Sequence, residues 1–477
     1  MNPLLLDSAT ELARKIRQRE VTSRQVVDAH IARIEAVNPT LNAVVVDRFA
    51  AARAEADAAD ALQAKGGALP PFHGVPCTIK ESFAVTGMPN TSGLVARVGL
   101  QVSEDAVTVK RLRDAGFIVM GVTNLSELCM WMESNNAVYG RTSNPYDATR
   151  IAGGSSGGEG SIVGSGGSPF GLGADVGGSI RMPAFFNGVF GHKPGSGIVP
   201  NTGQFPTSEG QASLMLGTGP IARRAVDLMP LLRILAGPDG VDEVCVAAPL
   251  GDPDRVSLKG LRVTVVPDDA RHTVDPGLAA SQQKVANWLR DQGADVRELR
   301  LPELRRAFDI WSAKMGEHGG AGKFRKLMQR PQKRQLLRHL LHSSAFGGPH
   351  TLPATILGLV EDVGEWAPSR TKLALSQGRE LRETLLDLIG EGVLLYPPYP
   401  VPAPRHNEPL RRPFAWVYTA LFNAMGFPVT QVPTGLNQQG LPLGVQIVAA
   451  PGHDHVTIAV AVALEKAGVA GWVPPAT

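Results

Sequence analysis

Cysteine is scarce in this chain: Cys77, Cys129 and Cys245 are the only three in 477 residues, and no two stand as a CxxC pair. An odd, widely spaced set excludes a disulfide framework and fits a reducing compartment. Charge of one sign is scarce too. The net charge of +3 at pH 7 excludes the dense basic face of a nucleic-acid binder. No run reaches the ~18 apolar residues of a membrane span, and Met1–Leu6 is too short and lacks the basic leader of a signal peptide. The expectation is a cytoplasmic protein, soluble or peripheral to a membrane, with no nucleic-acid partner. There is no HExxH zinc pattern either. His453-Asp454-His455 and the pair His339/His342 are the densest clusters of ligand types, and both read as surface groups, so no metal and no cofactor is expected.

What is present is material for a large core: 43% of residues are hydrophobic and 19% charged, outside the range of disordered chains. Ser8-Ala9-Thr10-Glu11 and Thr22-Ser23-Arg24-Gln25 each carry the capping-box pattern, which predicts two helices over 7–37. Val27, Ile31 and Ile34 give the second a packing face. Alanine-rich 49–65 predicts a third helix, and 104–115 a fourth. Strands are predicted at Pro76–Lys80, Phe117–Val122, Leu261–Val266, 294–299, Val393–Tyr396 and Leu443–Val448, with a helix near 275–292. Strands alternating with helices imply an α/β fold: a large mixed, mostly parallel central sheet covered by helices on both faces.

Residues 153–200 are dense in Gly and Ser. Such composition usually marks a flexible linker, yet Ile162-Val163, Phe170 and Leu172 have no use in one. Glycine here instead lets backbone N–H groups approach a ligand. The phosphate patterns GxxxxGK[ST] and GxGxxG are missing, and so is the GxSxG nucleophile elbow around Ser179.

Gly153-Gly154-Ser155-Ser156-Gly157-Gly158-Glu159-Gly160, then Gly173-Ala174-Asp175-Val176-Gly177-Gly178-Ser179-Ile180-Arg181-Met182-Pro183, resemble the signature of the amidase signature family. Upstream, His73-Gly74-Val75-Pro76-Cys77-Thr78-Ile79-Lys80-Glu81 resembles its lysine motif. Glu159, the run Gly164–Pro169 and Leu395-Tyr396-Pro397-Pro398 are similar to fatty-acid amide hydrolases. Arg412-Pro413-Phe414 and the run Gly426–Gln431 resemble the type-2 form, here without that form's N-terminal membrane span. The resemblance implies one amidase domain over 1–477: N-terminal helices in 1–65, a catalytic core in 70–245, and a cap or substrate-channel insertion in 305–365.

It also implies a mechanism. Ser179 attacks the amide carbonyl, Ser155 (on a cis peptide) relays the proton, and Lys80 is the base. A lysine near its ordinary pKa of ~10.4 is protonated at pH 7, so the site must lower that value. The N–H groups of Val176, Gly177, Gly178 and Ser179 are implied to form the oxyanion hole. Ser155 and Ser156 border the substrate, and Asp175 with Arg181 braces the loop. Taken alone, Lys80 would read as a surface charge and Ser155 as a loop hydroxyl; order and spacing raise them to catalytic candidates. Leu128-Cys129-Met130-Trp131-Met132 falls where the family has its acyl wall, which makes Cys129 and Met130 substrate-binding candidates; core packing is the alternative, and Cys129 reads as a small buried hydrophobe.

From His318 to Val360 there is no acidic residue, while Lys323, Arg325, Lys326, Arg330, Lys333, Arg334 and Arg338 are basic and Leu336, Leu337, Leu340, Leu341 and Phe346 are apolar. Segment 323–346 is thus a candidate for peripheral membrane contact, with a solvated basic helix as the alternative. The expected partner is a small-molecule amide, and a homodimer stays open. The glutamine amidotransferase A subunit shares the triad and stands as the alternative function, alongside a broad-specificity amidase or esterase. Residues 305–375 show no match to its glutamine-side segment.

Overall fold

The computed structural model describes residues 1–208, 210–316, 324–328, 336, 348–360 and 368–476. The chain opens with α1 (Ala9–Arg17) and α2 (Ser23–Leu41). At α2 the capping box is complete: Thr22 accepts from Gln25 N–H and the Gln25 side chain accepts from Thr22 N–H. At α1 only half of it forms. Ser8 Oγ accepts from Glu11 N–H, but the Glu11 carboxylate turns to Arg14 instead. α2 runs to Leu41 through Pro39 and stops at Asn42, whose left-handed backbone ends the helix.

Then come β1 (Val44–Asp47), α3 (Phe49–Lys65), β2 (Pro76–Lys80), α4 (Val107–Asp114), β3 (Ile118–Thr123), a small hairpin β4–β5 (Asn135–Asn136, Gly140–Arg141), α5 (Gly157–Gly164), β6 (Phe170–Asp175), α6 (Arg181–Phe186), β7 (Phe190–Lys193) and β8 (Gly217–Ala222). The second half adds α7 (Leu228–Leu235), β9 (Arg262–Val265), α8 (Pro276–Asp291), β10 (Asp295–Glu298), α9 (Ala307–Gly316), β11 (Val393–Tyr396), β12 (Val429–Leu436) and β13 (Pro442–Val448). Eleven strands form one sheet in the order β1-β3-β2-β6-β8-β7-β12-β13-β11-β9-β10.

The sheet is large and mixed as expected, but parallel pairing is confined to its flanks, β3-β2-β6 and β11-β9-β10. Six of the ten pairings are antiparallel, which corrects the expectation of a mostly parallel sheet. For β12 and β13 the reason is local: the short turn that joins them carries no crossover helix, so parallel pairing is unavailable to that pair.

Helices cover both faces. One apolar cluster joins α1, α4, α7 and α8 to Cys77, Ile79, Val119, Phe170 and Leu172. On the other face, α2, α5 and α6 meet Val44, Ile118 and Met120. Along β2, then, Cys77 and Ile79 face the first cluster, while the alternate residues Thr78 and Lys80 face α5. Two polar side chains on a strand buried on both sides is a departure from pure core packing.

The His453-Asp454-His455 cluster is not a set of surface groups. Asp454 is buried and accepts from Gly195 N–H at 2.9 Å and pairs with His192 Nε2 at 3.1 Å, because it starts a helix that packs under the sheet. Among the described residues no three His, Cys, Asp or Glu side chains are placed to hold a metal ion, and no helix is long and apolar enough to cross a membrane. His339 and His342 lie outside the described residues.

Candidate active site

β2 carries Lys80 to its C-terminal end, where the side chain is wholly buried and Nζ donates to Ser155 Oγ at 2.7 Å. Burial lowers the pKa of this amine, since an ammonium there has no water; the Cys129 thiol, Asp175 and Glu159 pull the other way. Ser155 precedes α5 on a cis peptide after Gly154. Its carbonyl accepts from Ser134 Oγ at 3.1 Å and Ser126 N–H at 3.3 Å, so both neighbouring loops fix its backbone.

Ser179 stands at the tight turn between β6 and α6, 7% exposed. The carbonyl of Ser179 accepts from Ser156 N–H at 3.2 Å, which ties the two glycine-rich stretches together, while the Ser156 hydroxyl goes to Ala174 O at 3.3 Å. Gly178 has φ +121° and lies against Thr419, so that a Cβ there would collide with the Thr419 hydroxyl; only glycine turns the chain here. Of the four N–H groups at this turn, that of Gly178 is already donated to Asp175 Oδ1 at 2.6 Å. Those of Val176, Gly177 and Ser179 have no acceptor among the described residues.

Asp175 and Arg181 lie under the turn, both fully buried and paired twice, at 2.9 and 3.0 Å. Arg181 also donates to Thr419 O, Gln446 Oε1 and Asn423 Oδ1, and Asn423 Nδ2 returns a bond to Asp175. Burial pushes the Asp175 carboxyl up, but the Arg181 guanidinium outweighs it and holds the group well below the usual carboxylate range. Every donor of the pair is met, which is what a buried ion pair requires.

The run Leu128–Met132 does not make one wall. Leu128 packs with Leu94, Met328, Leu336 and Ala354. Met130 joins the cluster of Trp311 and Val417. Trp131 and Met132 join Phe185, Phe186 and Tyr399. Cys129 is half-buried rather than a core hydrophobe: its thiol lies 3.6 Å from Ser92 Oγ and on the side of Lys80, whose pKa it raises. Leu128 and Cys129 both adopt left-handed backbone, φ +52° and +59°, so consecutive non-glycine residues are held in a sparsely populated conformation here.

Two tryptophans escaped the sequence reading. Trp311 of α9 donates its indole N–H to Val176 O at 2.9 Å, and Trp416 crosses it edge-on with ring centroids 4.6 Å apart. A Cβ on Gly177 would lie 3.1 Å from the Trp416 ring, so an aromatic wall borders the turn that holds Ser179. Only the fold brings Trp311 and Trp416 to Val176; no local pattern marks either.

The sequence profile described as Amidase matches residues 25–458. This chain belongs to the amidase family. It is 47% identical to fatty-acid amide hydrolase 2-A of Danio rerio over 99% of this chain and 91% of that protein. With fatty-acid amide hydrolase 2 of Homo sapiens it shares 44% identity, again over 99% and 91%. The native peptide amidase from Stenotrophomonas maltophilia superposes with a TM-score of 0.81 at 26% identity, covering 99% of both chains. The amidase is a hydrolase of amide bonds.

Proposed function

We propose that this amidase hydrolyses amides of hydrophobic acyl or aryl acids through an acyl-enzyme on Ser179. The observation that carries the reading is the 2.7 Å contact between Lys80 Nζ and Ser155 Oγ in a site where burial favours the free amine. At that distance the contact serves both directions: a Ser155 O–H donates to the amine, and an ammonium donates to the Ser155 oxygen. As the Ser179 oxygen bonds to the carbonyl carbon, its proton passes to Ser155 and the Ser155 proton to Lys80. The C–N bond then breaks as the proton returns along the same route to the leaving amine. Water enters by the same steps and releases the acid, leaving Ser179 free.

The developing oxyanion is met by the free N–H groups of Val176, Gly177 and Ser179; Gly178 serves by shape and by its bond to Asp175. Asp175 and Arg181 hold the turn, and Ser156 orients the backbone beside it. Met130, Cys129 and the Trp311–Trp416 wall border the space for the acyl group, and the identities of 47% and 44% to fatty-acid amide hydrolases support an apolar one. The basic segment 323–346, which lies mostly outside the described residues, is read as the part that meets an anionic membrane.

The test is a panel of amides of graded acyl length and aryl character. The wild type is expected to hydrolyse the hydrophobic members. Ser179→Ala is expected to lose about 10⁴-fold or more in kcat/KM with its melting temperature retained. Turnover surviving in a folded Ser179→Ala protein rules the assignment out.

A further inference from the structure

Glu159 takes no part in the steps above. It sits in the first turn of α5, four residues after Ser155, with no exposed surface. Its Oε2 accepts from Thr78 Oγ1 at 2.6 Å and its Oε1 from Thr123 Oγ1 at 2.8 Å. Thr78 lies two residues before Lys80 on the same face of β2, and Thr123 is the register partner of Lys80 on β3. The two hydroxyls that hold the carboxyl therefore come from the strand of Lys80 and from the residue beside it. On the neighbouring strand β6, Gly171 leaves the room: a Cβ there would overlap Glu159 Oε2.

We propose that Glu159 is a positioning residue for the reaction: clasped by Thr78 and Thr123, its carboxyl sets the balance in Lys80 between the amine that takes a proton and the ammonium that returns it. The inference rests on the reading of Lys80 as the base. An ionised carboxylate at this place favours the ammonium, and a protonated carboxyl favours the free amine. Burial pushes Glu159 up to about 8, against the lowering effect of the two hydroxyls and of Lys80, so both forms are accessible near neutral pH. Other groups face the pair. Asp175 faces Lys80 from the end of β6 but is committed to Arg181. The Cys129 thiol faces it from the 127–129 turn. Cys77, also on β2, senses the Glu159 charge, but burial pushes its thiol up and keeps it protonated. Glu159 and Lys80 thus titrate as a coupled pair.

Glu159→Gln keeps the size and a hydrogen-bonding end while removing the ionised form. The state in which Lys80 is an ammonium paired with a carboxylate disappears, so the free amine is populated at lower pH. The acid limb of the kcat/KM profile on a hydrophobic acyl p-nitroanilide is expected to move down by about half a pH unit or more and to steepen towards a single proton. The plateau kcat is expected to fall about tenfold, as expected for ~1.4 kcal/mol of lost ammonium stabilisation. Thr78→Val removes one donor to the carboxylate and is expected to shift the limb the same way by less; Thr78→Ser restores it. A residue that only packs would change kcat or melting temperature and leave the limb in place. A second readout needs no substrate: the infrared difference between wild type and Glu159→Gln at pH 7 is expected to show the C=O stretch of a protonated carboxylic acid. Coincident limbs in wild type, Glu159→Gln and Thr78→Val overturn the proposal, and if Glu159→Gln does not fold, Thr78→Val decides. An inactive wild type or an active Ser179→Ala enzyme would instead overturn the reading of the triad.

Discussion

At the scale of single residues, the charge under the Ser179 turn is the most exacting feature. Asp175 and Arg181 are both without exposed surface, and removing one partner of such a pair leaves the other charged, buried and unpaired, a loss of about 3–5 kcal/mol. Asp175→Asn is therefore expected to lower the unfolding free energy in urea by about that amount. It is also expected to reduce turnover, because Asp175 Oδ1 holds Gly178 N–H and Oδ2 holds Ile180 N–H. A variant as stable as the wild type would show that the pair does not brace the turn. The pH dependence follows from the direction of the shift. The folded carboxyl lies below its unfolded value, so its stabilising contribution is complete above the ordinary carboxylate range. It is lost as pH falls through the depressed folded value. Lys80, Ser155 and Ser179 were legible as site candidates because they lie in motifs of fixed order, and the fold brings Lys80 Nζ to 2.7 Å from Ser155 Oγ. The partner of Gly178 N–H was not, since a signature gives residue types and not which amides are already bonded.

At the scale of elements, α5 shows where local reading fails. Gly157, Gly158, Gly160 and Gly164 fall in eight residues, and each glycine disfavours a helix by about 0.8–1.0 kcal/mol relative to alanine. Propensity alone therefore says linker. The helix forms because neighbours need the space: a Cβ on Gly158 would meet the Asn124 backbone, its carbonyl oxygen at 2.6 Å, and one on Gly160 would lie 2.8 Å from Pro183 O. Backbone cannot move aside cheaply, and overpacking costs about 1–3 kcal/mol. Gly158→Ala is thus expected to destabilise by about 1–2 kcal/mol in chemical denaturation, although propensity predicts a gain of about 1 kcal/mol; a gain would show that close approach does not hold this helix in place. The strands divide in the same way. β2, β3 and β11 were legible as short apolar runs. β8 (Gly217-Thr218-Gly219-Pro220-Ile221-Ala222) was not, yet it pairs with β6 along its whole length. Its glycines and proline hide a strand whose pairing is set by tertiary contacts rather than by β propensity.

At the scale of the molecule, the question is how an amide substrate reaches a serine that is almost wholly covered. The described part of the 305–365 region is anchored beside the site. His350 Nδ1 pairs with Glu127 Oε1 at 2.6 Å, and Thr351 N–H donates to Glu127 Oε2 at 2.7 Å. Glu127 begins the turn that presents Cys129 to Lys80. Met328, Leu336 and Ala354 pack on Leu94 and Leu128, and next to Leu94 the side chains of Val95, Val98 and Leu100 are exposed, Val98 to 62%. Apolar surface at this edge, beside Leu94 where Met328 and Leu336 of the stretch with seven cations and no acid pack, is the combination that anionic bilayers retain. Each Lys or Arg near such a surface contributes about 1 kcal/mol. Co-sedimentation is expected to be stronger with vesicles containing anionic lipid than with neutral ones, and to weaken as salt rises. Replacing Arg330 and Lys333 together by glutamine should remove about 2 kcal/mol, roughly a 30-fold drop in partitioning, with turnover of a water-soluble amide retained. Equal binding to neutral and anionic vesicles would sink the membrane reading while leaving the chemistry at Ser179 intact, because the two depend on different parts of the chain.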